Sequence, residues 1–341
     1  MMNPADAFRL AWEECFHRFA DVVAIHPLGG GSINSVYKIE TTDGHFVMKM
    51  NSLSRYPGMF KGEAAGLQLI METGSVSVPG IVAVSALKQH QVLILEYIEP
   101  APRIKHFYSH FGEQLAAMHR HTSETFGLSF NNYIGSLPQD NKQEKSLHYF
   151  FIHHRITPQL RLAVRKGLLT EGDEKDFEDL IKKIEHLLPN EQPSLIHGDL
   201  WNGNYITGND GKAWLIDPVV FYNCREVDMA MTKLFGGFES EFYAAYHQAY
   251  PLLTGWEQRM DLWNLYPLLV HVNLLEDIMC RRREASLGNI YDKQGNSRQL
   301  KRLEEGLVIT RLVSDKMNLR RFEGAGRIVL YALWGEGEGE K

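Results

Sequence analysis

Ile196-His197-Gly198-Asp199-Leu200-Trp201-Asn202-Gly203-Asn204, followed by Trp214-Leu215-Ile216-Asp217-Pro218, is the stretch on which the reading of this chain turns. One aspartate precedes an asparagine by five positions, and a second aspartate comes thirteen later at the end of an apolar run. Phosphoryl transfer to a hydroxyl needs a carboxylate that orients the hydroxyl and accepts its proton, and two oxygen ligands for magnesium. Asp199 fits the first role; Asn204 and Asp217 fit the second. A loop, strand, turn and strand in this order would bring both ligands beside the base. Asp, Asn and Gly are also ordinary turn residues, and for Asp199 alone a turn is the simpler reading. A turn explains each residue singly but not the ordered, spaced set that phosphoryl transfer demands.

Two upstream segments fit the same chemistry. Gly29-Gly30-Gly31-Ser32-Ile33-Asn34 lies between two apolar runs, and glycines let backbone amides approach phosphates. Taken alone this signal is weak: it is not G-x-G-x-x-G, and glycine turns between strands are common. No Lys-Ser/Thr follows, which argues against a P-loop. Phe46-Val47-Met48-Lys49 closes the next strand. Its lysine suits the α- and β-phosphates of ATP, and Glu63 on the following helix can pair with it. An isolated Lys and Glu would read as surface residues; their order before a connector and the Asp-x4-Asn…Asp set argues for one site. Glu96-Tyr97-Ile98 stands where a hinge would hydrogen-bond adenine through its backbone, an assignment made on position.

Around these motifs, residues 5–20 show helical periodicity, and runs at 35–40 and 45–50 flank the hairpin turn Thr42-Asp43-Gly44. A helix is expected over 59–72 and strands over 82–86 and 91–96. Pro100 and Pro102 suit a connector. Helices follow at 106–120, 147–167, 171–188, 226–249 and 256–279, interrupted by a strand-rich island over 194–220. The expected fold class is α+β and two-lobed. It has a small antiparallel β-rich nucleotide-binding lobe (1–96), a mainly helical lobe with the catalytic loop and acceptor site (97–280), and an atypical tail (281–341). A ligand cleft between the lobes is expected.

Composition narrows the function classes. The 341 residues carry a net charge of −6, which suggests no nucleic-acid partner. No segment has the length and apolarity of a membrane span, and the N-terminus lacks a basic run followed by an apolar stretch, so no secretory leader is expected. Cys15, Cys224 and Cys280 are scattered and odd in number, which reads as a reduced, cytoplasmic protein without disulfides or a thiolate zinc site. Of 15 histidines, His106 and His110 share a helical face and His153-His154 are adjacent, but no H-E-x-x-H exists, so solvated or core histidines are the simpler reading. The tail carries +4 against −10 for the remainder, and its Gly-Glu repeat from Gly335 to Glu340 has the composition of a segment without fixed structure.

The motif residues also carry a family likeness. His197-Gly198-Asp199, in place of His-Arg-Asp, resembles the aminoglycoside and choline kinase branch of the protein-kinase-like fold. Asp199-Leu200-Trp201-Asn202-Gly203-Asn204 resembles the Asp-Leu-Trp-x-Gly-Asn loop of fructosamine (ketosamine-3-) kinases. Asn132-Tyr133-Ile134-Gly135-Ser136 with Pro138-Gln139 and Asn141 resembles a further signature of that family. So does Asp217-Pro218 with Arg225-Glu226, Asp228, Ala230-Met231 and Leu234 to Phe238. The likeness runs from about residue 8 to about residue 274. It implies ATP, Mg2+ and a small-molecule ketosamine phosphorylated on its 3-hydroxyl, after which the adduct breaks down and releases its amine. Trp201 is then a wall for the sugar or a structural aromatic. Arg225, Glu226 and Asp228 are expected to form one ion-pair network holding the metal-site segment.

Two departures stand out. Ser32 takes the place of a glycine-loop cysteine found in some relatives, so no disulfide switch is expected there. Relatives continue past Leu274 with Phe-Gly, whereas this chain reads Leu275-Glu276-Asp277-Ile278, which points to a shifted reading frame or an unrelated appended tail. Other readings are a kinase for another small hydroxyl compound and a catalytically dead nucleotide-binding relative. A protein kinase is disfavoured because Asp-Phe-Gly and Ala-Pro-Glu segments are absent.

Overall fold

The computed structural model describes residues 2–29, 33–184 and 186–287. α1 (Pro4–Phe16) starts where Asn3 Oδ1 accepts the Ala5 N–H at 2.9 Å, with Pro4 in the first turn. It ends earlier than its periodicity suggests, because His17 turns left-handed at φ +53°. The sheet holds β1 (Val22–Leu28), β2 (Ser35–Thr41), β3 (Gly44–Ser52), β4 (Ile81–Leu87) and β5 (His90–Glu96), in the order β1-β2-β3-β5-β4 with every pair antiparallel. β1 is a strand that the expected elements lack. Its exposed and half-buried residues show no clean alternation, as befits an edge strand containing Pro27.

Alternation along β5 divides the core. Val92 and Ile94 join Ala7, Phe8, Ala11 and Trp12 of α1 on one face. Leu93 and Leu95 face the other way, with α2 (Met59–Glu72), into a core shared with the helical lobe. That second core therefore runs across the lobe boundary.

The helical lobe opens with α3 (Phe107–His119) and a short hairpin of β6 (Asn132–Ile134) and β7 (Leu137–Gln139). α4 (Leu147–Phe151), a π-helical turn (Ile152–Ile156) and α5 (Thr157–Arg165) follow, then α6 (Glu171–Ile184). β8 (Ser194–Ile196) pairs with β11 (Phe221–Asn223), and β9 (Tyr205–Thr207) with β10 (Ala213–Leu215). The remaining elements are α7 (Glu226–Leu234), α8 (Ser240–Ala249) and α9 (Trp256–Leu287). The single helix expected over 226–249 is thus two, broken where Gly236 and Gly237 adopt φ +102° and +79°. α9 continues into the segment assigned to the atypical tail; residues 288–341 of that tail lie outside the described residues. Among the described residues no helix is long and apolar enough to cross a membrane.

Candidate active site

The two motif loops lie side by side because the β9–β10 hairpin is inserted between the paired strands β8 and β11. The loop 197–204 joins β8 to β9, and the turn around Asp217 joins β10 to β11. The Ile216 N–H donates to Asn204 O at 3.0 Å, and the Val219 N–H to His197 O at 2.8 Å. Gly198 sits at φ +82°, and a Cβ there would lie 2.2 Å from the Val219 carbonyl oxygen, so only glycine fits between His197 and Asp199.

Three side chains hold this loop. Asp228 of α7, fully buried, accepts the His197 N–H at 2.7 Å, the Gly198 N–H at 2.9 Å and His119 Nε2 at 3.1 Å. Burial would raise its pKa, but the hydrogen bonds from His119 and the Gly198 amide outweigh it and hold the carboxyl below the usual range. Nε2–H of His197 donates to Ile216 O at 3.0 Å and Nδ1 accepts the Asp199 N–H at 3.3 Å, the pattern of a neutral ring, and burial holds its pKa below the usual histidine range. His197 thereby links the residue before Asp217 to the backbone of Asp199.

Contrary to the expected single ion-pair network, Arg225, Glu226 and Asp228 do not pair with one another; Arg225 and Asp228 are linked only indirectly, through the Tyr246 hydroxyl (3.3 Å from Arg225 Nη1, 2.7 Å from His119 Nδ1) and His119. Arg225 pairs with Glu191, Glu226 takes Arg259 through both carboxylate oxygens at 2.6 and 2.8 Å, and Asp228 serves the catalytic loop. Each pairs with a residue of another element.

Asn204 donates from Nδ2 to both Asp199 O and Asp199 Oδ2 at 2.8 Å, which uses its two amide hydrogens and leaves Oδ1 as an acceptor. Desolvation pushes the Asp199 carboxyl up to about 7; the Asn204 bond opposes the rise, and Asp217 and Asp228 add to it. Asp217 adopts the left-handed φ +54°. Lys49, buried on β3, donates to Glu63 Oε1 of α2 at 2.5 Å and to Asp217 Oδ1. Burial alone would lower the Lys49 pKa, but the Asp217 and Glu63 carboxylates hold it above the ordinary lysine value, so it stays charged. Lys49, Glu63 and Asp217, which are far apart in the chain, therefore meet in one contact.

The other candidates are placed as follows. Gly29 follows β1 directly, and a Cβ there would meet nothing within 4 Å; Gly30, Gly31 and Ser32 lie outside the described residues. At the hinge, the Glu96 N–H donates to Gly80 O at 2.8 Å and the Tyr97 N–H to His45 O at 3.3 Å, while Ile98 is buried. Trp201 is half-buried, meets Phe235 edge-to-face at 5.7 Å between centroids, and lies so close over Gly203 that a Cβ there would sit 2.4 Å from its ring. Phe235 in turn lies 5.3 Å from His271, and Asn202 Nδ2 donates to Gly237 O at 3.2 Å. Sequence reasoning left Phe235 and His119 out of the site. The Phe235-Gly236-Gly237-Phe238 run was the available signal for the first; His119 has none, since its helix face looks like any other.

No group of three or more His, Cys, Asp or Glu that could hold a metal exists among the described residues. Two protein oxygens, from Asn204 and Asp217, suit magnesium, which keeps waters and takes phosphate oxygens.

Comparison with known proteins agrees with this architecture. Residues 7–292 match the model of the fructosamine kinase family, further than the likeness to about residue 274 read from the motifs. A probable ketoamine kinase of Vibrio parahaemolyticus is 40% identical over 251 residues, 72% of this chain and 85% of that protein. A crystal structure assigned as a fructosamine-3-kinase, from Haemophilus somnus, superposes with a TM-score of 0.74 at 25% identity, covering 92% of this chain and 97% of the other. A spectinomycin phosphotransferase superposes with a TM-score of 0.58 at 11% identity over 98% of this chain and 99% of the other, which shows a shared kinase-like fold.

Proposed function

The chain belongs to the fructosamine kinase family, a family of phosphotransferases, and on that premise we propose that it transfers the γ-phosphate of ATP to the 3-hydroxyl of a ketosamine, with Asp199 as catalytic base. The observation that carries this reading is the meeting of Lys49, Glu63 and Asp217 beside the Asp199–Asn204 pair.

MgATP, when bound, would supply the phosphoryl group that is transferred and the cation that offsets its charge. Lys49, fixed by Glu63, would hold the α- and β-phosphates. Asn204 Oδ1 and the Asp217 carboxylate would hold magnesium. Gly29, Gly30, Gly31 and Ser32, by their sequence, would supply backbone amides for the phosphates. Within Glu96-Tyr97-Ile98, the Glu96 and Tyr97 amides are already used, so the Ile98 N–H is the donor this segment offers to adenine. Asn204 occupies Asp199 Oδ2, which leaves Oδ1 to orient the acceptor hydroxyl and take its proton. A carboxylate held near 7 suits that transfer at neutral pH. Trp201 walls the sugar. The phosphorylated adduct then breaks down and frees its amine, a repair of glycated amines. Cys15 and Cys224 are free thiols, in keeping with a reducing cytoplasm.

The test is ADP release by purified protein with Mg2+ and a ribulosamine or fructosamine, beside an aminoglycoside and choline. Turnover should require the amine-linked sugar and fall roughly 10²–10⁴-fold in Asp199→Asn, with ATP still bound. Preference for the aminoglycoside or choline would overturn the substrate class, and undiminished turnover in Asp199→Asn would overturn the base.

A further inference from the structure

The nucleotide half of this site draws on both lobes, with Lys49 on β3, Glu63 on α2 and Asp217 on the β10–β11 turn. α2 rests on a floor made of two residues from the helical lobe. Asn132, which opens β6, donates from Nδ2 to the Val220 carbonyl at 2.9 Å, three residues after Asp217. Gly62 and Gly66 of α2 lie directly on this pair. A Cβ at Gly62 would sit 3.3 Å from Asn132 Cβ, and one at Gly66 would sit 2.9 Å from Val220 Cγ2. Glu63 follows immediately after the first of these glycines.

The far side of Asn132 is fully engaged. Its Oδ1 accepts Gln139 Nε2 at 2.8 Å and Asn141 Nδ2 at 2.9 Å. Two donors on that oxygen fix the amide's orientation and turn Nδ2 toward Val220. Behind them, Arg155 Nη2 donates to Asn141 Oδ1 at 2.6 Å and the Tyr266 hydroxyl to Gln139 Oε1 at 2.7 Å. Asn132, Gln139, Asn141, Arg155 and Tyr266 are all buried. Arg155 has no carboxylate partner among the described residues; its guanidinium lies 4.1 Å over the Phe221 ring and 4.5 Å over Phe150. Apolar packing would hold a hairpin in place with less desolvation. Directional bonds converging on one amide specify an orientation instead.

We infer that Asn132 is a positioning residue for nucleotide binding: its bond to Val220, aimed by Gln139 and Asn141, sets the height at which the Asp217 turn meets Lys49 and Glu63. This rests on the reading of that cluster as a MgATP site. Asn132→Asp keeps the shape and the acceptor for Gln139 and Asn141 but places an oxygen against the Val220 carbonyl. Gly66→Ala disturbs the same floor from the α2 side and leaves the polar network intact.

The experiment is calorimetric titration of each purified variant with MgATP, no acceptor present, with melting temperature measured in parallel. The fitted stoichiometry separates binding strength from folded fraction. Both variants should weaken MgATP roughly 10- to 100-fold, the range seen when groups behind a metal ligand are altered. Gly66→Ala carries the test if Asn132→Asp does not fold. Affinity within about twofold of wild type, even with a lowered melting temperature, would make the network purely structural and overturn the inference alone. A wild-type protein that does not bind MgATP would overturn the site reading and this inference together.

Discussion

Replacing Asp228 by alanine should unfold the protein before it alters the chemistry. The side chain is fully buried and accepts two catalytic-loop amides, at 2.7 and 2.9 Å, and His119 at 3.1 Å. Its removal leaves two buried N–H groups without an acceptor, each worth about 1–3 kcal/mol, and strips His119 of its anion. The total is on the order of 3–5 kcal/mol, the usual consequence of removing half of a buried pair. Against a typical stability of about 5–15 kcal/mol, that is a large share. At roughly 2–4 °C per kcal/mol, the melting temperature should fall by on the order of 10 °C. The folded-state pKa of Asp228 is depressed, so its stabilisation is present above the unfolded value of about 3.9 and disappears as pH falls through the folded value. Thermal unfolding followed by circular dichroism at pH 7 and below pH 4 checks both parts. The gap between wild type and Asp228→Ala should be full at pH 7 and close only below about pH 4. A variant with wild-type melting at pH 7 and no activity would refute the reasoning and move Asp228 into the chemistry.

Gly198→Ala would bring a Cβ to 2.2 Å from the Val219 carbonyl oxygen at φ +82°. It should shift Asp199 and lower kcat on the order of 10²-fold; kcat near wild type in a folded variant would show that the loop relaxes. Trp201→Ala should raise the acceptor KM while leaving that for ATP unchanged, measured by steady-state kinetics in each substrate. An unchanged acceptor KM would reduce Trp201 to packing against Phe235 and Gly203.

Much of this was legible because chemistry and turn geometry leave marks at fixed spacing. Gly198, Asp199, Asn204 and Asp217 share two loops whose short strands carry obvious apolar runs. α2 spans the residues its periodicity gives, since Phe60, Leu67 and Ile70 are buried at helical spacing. The failures have equally local causes. β1 has little buried surface to pattern it. α7 and α8 read as one helix because apolar spacing continues through Gly236 and Gly237, whose positive φ values break it. The partners of Arg225, Glu226 and Asp228 come from 21 to 109 positions away, and no local rule specifies them. The floor of Asn132 and Val220 under α2 is a matter of close approach, which a glycine pair four apart permits without announcing what will fill the space.

The bonds that shape Asp199 come from α3, α7 and the β8–β9 and β10–β11 loops, all within the helical lobe. The Lys49 contact, by comparison, spans the lobes. Relative motion of the lobes would therefore act on the Lys49 contact while the hydrogen bonds around Asp199 stay intact. Asp217 is where the two meet: its carboxylate both holds Lys49 and adds to the rise of the Asp199 carboxyl, so drawing the lobes apart would be felt at Asp199 through charge rather than through geometry.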